Sequence, residues 1–404
     1  DLHRLIRRQR QMCIRDRPKY PTSTFKAGKT RLRKVIPIAQ PMINKEEIEA
    51  VVAVLKSGVL TSQFGDGPYT KKFEESFAKY VGARYAVTVN SGTAALHAAL
   101  LAAEIGEGDE VIVPSFTFVA TVEAVVLIGA KPVFVDIDPK TYTIDPAAVE
   151  EAITSRTAAI IPVHLYGLMA DMEKIMKIAR EHDLVVIEDA AQAVGAEFAG
   201  KKAGSFGDFG CFSFYGSKII TTGEGGMVTT NRRDNAEALY AIRSHGFGRH
   251  HSSERLGHNY RMSEIASAMG YYQLLKLPRL LEARRKNANM LTNMLEDIGR
   301  LELPFEPKGY KHSWYVYTVR LRGCRAGERN KVVAKLVNAG IQAEVYYPTP
   351  VHMAPYYRRK FGFKPRSLPK TEAAARQVFS LPSHSGLTEE DIRYISQKLR
   401  KIIG

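Results

Sequence analysis

From Pro37 onward the apolar positions fall into two recurring rhythms. Residues 45–56 carry Ile48, Val51, Val52 and Leu55 at the spacing of an amphipathic helix, with Gly58 as its stop. Residues 68–80 repeat the pattern through Phe73, Phe77 and Tyr80. Short β-prone runs then alternate with helical ones. Strands are predicted at 85–89, 110–113, 132–135, 158–163 and 184–188, and helices at 93–103, 120–128, 146–153 and 172–182. This alternation predicts an α/β fold, with a mainly parallel central sheet flanked by helices on both faces. The near-continuous apolar character of the strands predicts burial on both sides.

After 235–245 the rhythm changes. Long helices are expected at 262–277 and 279–295, with Pro278 as punctuation. The last hundred residues mix β-rich runs (314–321, 342–345) with helices (329–339, 389–403). The expected organisation is a large domain over 35–275 and a smaller C-terminal α+β domain over 276–404. Residues 1–34 are basic and poor in apolar positions, and are read as a disordered tail. Within them, Met12-Cys-Ile-Arg-Asp-Arg17 resembles the in-frame translation of a sequencing-library transposon end, so residues 1–17 are assigned no function.

Composition narrows the classes. Apolar residues make up 45% of the 404 and charged residues 25%, ordinary values for a globular protein. No apolar run approaches the roughly 18 residues a bilayer span needs, and no signal-peptide core is visible. Cys13, Cys211 and Cys324 are far apart, without metal-ligand spacing, which fits a reducing cytoplasm. The net charge of +16 divides into +10 within residues 1–34 and +6 in the rest. A mildly basic body without zinc-finger or basic-heptad patterning argues against nucleic-acid binding, and favours a phosphorylated small molecule.

The candidate chemistry gathers around Lys218. An apolar run ends at Ser213, small residues bend the chain, and the lysine precedes the glycine-rich Thr222-Gly-Glu-Gly-Gly226. A lysine amine held against a ligand is a Schiff-base nucleophile if its surroundings favour the neutral form. In open α/β sheets ligands bind at the carboxyl ends of strands, and that rule selects further loops. Ser91-Gly-Thr93 opens a helix as a phosphate cup or a simple cap, and Phe116 and Phe118 follow the next strand. Asp189 ends the 184–188 run, as a ring-facing carboxylate or a helix cap. The combination matches the needs of pyridoxal phosphate: donors for its phosphate, an aromatic cover, a carboxylate for the pyridine nitrogen and a lysine for the aldehyde.

These segments, with Gly108-Asp-Glu-Val-Ile-Val-Pro114, Glu188-Asp-Ala-Ala-Gln192, Phe212-Ser-Phe-Tyr-Gly-Ser-Lys218 and Asn259-Tyr-Arg-Met262, resemble the DegT/DnrJ/EryC1/StrS sugar aminotransferases. That family belongs to the fold-type I pyridoxal-phosphate transferases, and the likeness runs from about Pro37 to Ile403. The resemblance implies that Lys218 forms the internal aldimine, with pyridoxamine phosphate as the intermediate. It also implies that Asp189 pairs with the pyridine nitrogen, Gln192 meets the ring-hydroxyl side and Phe118 stacks on the ring. Gly92, Thr93 and Ser213 would bind the phosphate. Asn259 would reach the phosphate of a neighbouring subunit, which implies a homodimer, and Tyr347 and His352 would lie near the sugar pocket. Relatives with histidine in place of the lysine are dehydratases, so Lys218 favours transamination. The expected reaction moves an amino group from glutamate to a nucleotide-linked keto-sugar, at the 4-keto position of a 4-keto-6-deoxy sugar as in perosamine synthetases. It would serve cell-surface polysaccharide or amino-sugar biosynthesis in the cytoplasm, without metal, membrane or nucleic acid. The alternatives are amination at the 3-position and a non-catalytic regulator that binds the cofactor.

Overall fold

The computed structural model describes residues 35–248 and 252–404. The expectations for residues 1–34 lie outside the described residues. Two helices open the chain: α1, Lys45–Ser57, and α2, Pro68–Val81. Gly58 stops α1 in the left-handed conformation (φ 72°), where glycine carries no Cβ penalty.

The α/β alternation follows. Strands β1 (Tyr85–Val89), β2 (Glu110–Pro114), β3 (Lys131–Val135), β4 (Thr157–Ile160) and β5 (Val185–Asp189) are separated by helices α3 (Gly92–Ala102), α4 (Ala120–Leu127), α5 (Pro146–Glu151) and α6 (Met172–Glu181). Two short strands, β6 (Glu197–Phe198) and β7 (Lys201–Lys202), precede β8 (Phe209–Ser213) and β9 (Gly226–Thr230). The seven-stranded sheet has the order β1-β9-β8-β5-β4-β2-β3. Only β9 runs antiparallel to its neighbours there, so the expected mainly parallel sheet is present. Adjacent residues of a strand feed two different cores. Ile112 enters one while Val111 and Val113 enter the other, and Val186 and Ile187 divide in the same way. That is why these strands read as unbroken apolar runs.

The predicted strand 158–163 ends early, at Ile160, because Pro162 has no N–H for the ladder. Its carbonyl still accepts from the Asp189 N–H (2.9 Å), and Val163 pairs with Asp189 as a single bridge.

Helices α7 (Arg233–Arg243), α8 (Glu264–Leu275) and α9 (Leu277–Leu295) follow, with Pro278 in the first turn of α9, where its missing N–H costs nothing. A second sheet comprises β10 (Leu301–Glu302), β12 (Tyr317–Leu321) and β13 (Val378–Leu381), in the order β10-β12-β13. The small strand β11 (Tyr310–Lys311) pairs with β6. The second sheet shares a separate core with α9 and with helices α10 (Ala326–Asn338) and α13 (Glu389–Ile403). Two further helices, α11 (Pro355–Phe361) and α12 (Pro369–Gln377), lie between α10 and β13 in sequence. The β-rich run 342–345 forms no strand. It is pinned by single bridges beside it and within it, Ile36 to Ile341 and Glu344 to Ser380, to two different neighbours.

Helix α1 differs from its sequence reading in which face it buries. Glu47, Ala50 and Val54 are covered, while Ile48, Val52 and Leu55 are 57%, 40% and 54% exposed. Glu47 is drawn inward because its carboxylate accepts from Gln273 and pairs with Lys276 (2.5 Å). Among the described residues no helix is long and apolar enough to cross a membrane.

Candidate active site

Four strand ends build the site. Beyond β1, Ser91 caps α3 by accepting from the Ala94 N–H (3.0 Å). The N–H groups of Gly92 and Thr93 lie in the first turn of α3, where a helix leaves its donors free for an anion. Ser213 closes β8 directly opposite. A Cβ on residue 92 would come within 2.7 Å of the Ser213 Cβ, so glycine keeps this cup open. Gly226 sits between the two walls: it pairs with both Val89 and Ser213, and a side chain there would strike the Ser91 carbonyl. The glycine-rich loop after Lys218 thus serves close approach as well as flexibility. The cup fits a phosphate monoester.

Asp189 is the last residue of β5 and is buried. Its Oδ2 accepts from Thr121 Oγ1 (2.7 Å) and its Oδ1 from the Ala191 N–H (3.2 Å). Burial pushes the carboxyl above its usual range, against these donors and the nearby charge of Lys218, which pull it down. A cationic ring N–H is the partner such a desolvated acid lacks. The Lys218 Nζ lies 4.7 Å from the centre of the Tyr315 ring, and the Tyr315 hydroxyl meets Ser217 Oγ at 3.2 Å.

Gln192 and Tyr347 come together as a pair: the amide Nε2 donates to the Tyr347 hydroxyl (2.6 Å), while Oε1 accepts from the Tyr166 N–H (2.8 Å). Burial raises the Tyr347 phenol well above its ordinary value, so it stays protonated. Tyr166 and Tyr347 stack 6.4 Å apart, and both have left-handed backbones (φ 60° and 61°). That conformation is costly for an aromatic residue, and such cost concentrates at functional sites. Phe118 stands at the entrance to α4 with 58% of its surface exposed. Asn259 has an exposed side chain, while its carbonyl accepts from Asn90 Nδ2 (3.3 Å) just beyond β1. His352 has no exposed surface. Its Nδ1 meets Ser115 Oγ at 2.6 Å and its Nε2 faces Glu372 at 3.6 Å, so both ring nitrogens point into the protein.

Sequence reasoning passed over four residues of this region: Thr121, Tyr166, Tyr315 and His164. Thr121 lies in the apolar run of α4, and its hydroxyl is the only local signal. His164 is fully buried and supports Glu188, the neighbour of Asp189. Its Nδ1 accepts from the Ala170 N–H, which leaves Nε2 protonated to donate to Glu188 (2.9 Å). The Glu188 carboxylate also accepts from the N–H groups of Gly204, Phe206 and Gly207. Among the described residues no group of three or more His, Cys, Asp or Glu could hold a metal ion.

A phosphate cup, a desolvated acid and a lysine at the carboxyl ends of the strands of a mainly parallel sheet are the parts of a pyridoxal-phosphate-dependent transaminase. Comparison with known proteins agrees. The model of the DegT/DnrJ/EryC1/StrS aminotransferase family matches residues 41–400, and the chain belongs to that family. It is 41% identical to a GDP-perosamine synthase of Caulobacter vibrioides, over 91% of this chain and 98% of the relative. It is 40% identical to a UDP-N-acetyl-3-dehydro-alpha-D-glucosamine 3-aminotransferase of Acidithiobacillus ferrooxidans, over 90% and 98%. Among solved structures, a putative sugar aminotransferase, Spr1654 of Streptococcus pneumoniae in its PMP-form, aligns with a TM-score of 0.86 at 30% identity. That alignment covers 91% of this chain and 97% of the neighbour.

Proposed function

We propose that the protein transfers an amino group from glutamate to the 4-keto position of a nucleotide-linked 4-keto-6-deoxy sugar, in the cytoplasm, for polysaccharide or amino-sugar biosynthesis. The carrying observation is the placement of Lys218 and Asp189 at the carboxyl ends of neighbouring central strands, close enough for their charges to interact, beside a cup that only glycine leaves open. The sugar class rests on the named relatives, one of them a perosamine synthase and another a 3-aminotransferase.

Bound pyridoxal phosphate would supply an electron sink for the carbon that loses its proton. The chain's own residues do the rest. Gly92, Thr93 and Ser213 hold the phosphate, and Asp189 holds a proton on the pyridine nitrogen. Gln192 orients the hydroxyl side of the ring, and Phe118 covers its face. The Lys218 amine would hold the cofactor's aldehyde end and, once free, would carry the proton that leaves the donor's α-carbon. Tyr347, tied to Gln192, would meet the sugar, and His352 would act at that pocket only through Ser115, to which it is bonded.

A second copy of the chain completes the reading. The side chain of Asn259 is exposed at the β1 end, and α1 presents Ile48, Val52 and Leu55 to the outside, a stripe suited to burial between copies. Asn259 would then reach the phosphate held by the partner.

The test is purified protein loaded with pyridoxal phosphate, given glutamate and then a panel of nucleotide keto-sugars. Glutamate should bleach the absorption band of the lysine-bound cofactor, and a keto-sugar should restore it with formation of an amino-sugar. Product NMR reads the aminated carbon, so a 3-amino product overturns the positional assignment. Persistence of the band, with the sugar still bound, would favour the regulatory reading.

A further inference from the structure

Thr121 is fully buried and has one hydroxyl proton. That proton is committed to Asp189 Oδ2, at 2.7 Å. Thr121 Oγ1 also lies 2.9 Å from Thr117 Oγ1. Because Thr121 has spent its only proton on the carboxylate, Thr117 must be the donor in the second bond. The two hydroxyls form a polarised chain aimed at Asp189, with Thr117 in the bend that precedes α4 and Thr121 in the first turn of that helix. Both threonines are almost wholly excluded from solvent, so water cannot replace them.

The chain has a chemical consequence for a carboxylate facing a pyridine nitrogen. The shared proton can sit on nitrogen, giving an ion pair, or on oxygen, giving a neutral pair. Burial favours the neutral pair, and donors to the carboxylate favour the ion pair. In Asp189 these influences oppose each other, with Thr121 the largest of those that favour ionisation. A hydroxyl bond to a charged acceptor is stronger than one to a neutral acceptor, so the Thr121 donor weighs toward the ion pair.

We propose that Thr121, backed by Thr117, is a positioning residue that keeps Asp189 ionised and its Oδ2 turned away from the ring, so that the pyridine nitrogen carries the proton. This rests on the transaminase reading above. Thr121 touches neither substrate nor cofactor in this role, and acts through Asp189.

The experiment compares Thr121→Val, Thr121→Ser and Thr117→Val, each loaded with pyridoxal phosphate. Melting curves and cofactor retention establish that each variant folds and binds. The measurement is the pH midpoint of the absorption change of the lysine-bound cofactor. A protonated ring nitrogen withdraws electrons and lowers that midpoint. Thr121→Val should raise it by about one unit, a tenfold change in proton affinity, and Thr121→Ser should stay near the parent. Thr117→Val should shift it in the same direction by less. The glutamate half-reaction in Thr121→Val should slow about tenfold in kcat with little change in KM, and Thr121→Ser should restore it. A Thr121→Val protein that binds cofactor with an unshifted midpoint overturns the proposal. Should Thr121→Val fail to fold, an unshifted midpoint in Thr117→Val does so instead. The midpoint needs only cofactor, so inactivity of the parent protein toward glutamate would sink the transaminase reading without deciding this one.

Discussion

The Lys218 Nζ stands 4.7 Å from the centre of the ring of Tyr315, a residue that the sequence pattern did not single out. An ammonium on a buried ring gains about 0.5–2 kcal/mol from the ring's negative face. Tyr315→Phe keeps that face and loses only the hydroxyl bond to Ser217, so its glutamate half-reaction should stay within about threefold of the parent. Tyr315→Leu removes the face and should slow the half-reaction about tenfold. Equal rates for the leucine and phenylalanine variants would show that the ring does not hold the lysine.

Gly92→Ala tests the phosphate cup. Its new Cβ meets Ser213 at 2.7 Å, closer than real Cβ atoms pack, so the cup must widen or α3 must shift. Cofactor affinity should fall more than about tenfold, equivalent to about 1.4 kcal/mol, as read by fluorescence titration. Wild-type affinity would remove the cup from the site.

Glu188 is fully buried among four donors: the His164 ring and three backbone N–H groups. Glu188→Gln replaces an acceptor oxygen with an NH2 group that faces donors. The expected loss of stability is about 2–4 kcal/mol in denaturant unfolding. A loss below about half a kcal/mol would contradict the bonding described.

His312 sets an acid limit. It lies stacked on Trp314 at 4.0 Å, and its Nδ1 accepts from the Trp314 N–H. Burial, then the Arg285 charge, depress its pKa from 6.5 to about 3. The unfolded state therefore binds the proton first. The stabilising effect is complete above about pH 6.5, and falls away as pH drops through the window down to about 3. His97, depressed to about 4 by burial and His258, adds in the same direction. Unfolding free energy measured against pH should decline across this window, and His312→Gln should flatten part of the slope. An unchanged slope in the variant would refute the assignment.

The exposed stripe on α1 predicts assembly. Ile48→Asp with Leu55→Asp should leave the melting behaviour of a single copy nearly unchanged, since both residues are more than half exposed. Sedimentation should show a shift toward monomer, and an unchanged mass would exclude this face from the interface.

Much of this was legible from residues alone. The α/β alternation shows because strands in the sheet interior are apolar on both faces while helices such as α6 are apolar on one, and Asp189 and the cup residues stand at strand ends, with Lys218 five residues beyond β8. Other features have no local signature. The antiparallel β9 begins in a glycine pair, and its direction is decided by β1 and β8 on either side. The apolar stripe of α1 marks a helix without telling which neighbour covers it. Tyr315 and Thr121 reach the site from 97 and 68 residues away from their partners Lys218 and Asp189, through contacts that no spacing rule encodes.

Glu188 and Asp189 are neighbouring acids on β5 with opposite duties. One is sealed against the loop 204–207, and the other ends the strand and accepts from Thr121. A slip of β5 by a single residue would set Glu188 at the Asp189 place and Ile187 before the loop's donors, which would then lose their glutamate. The pair therefore acts as a register key. The favoured alignment is the one that satisfies the loop's donors, and it leaves Asp189 at the carboxyl end of the strand beside Thr121.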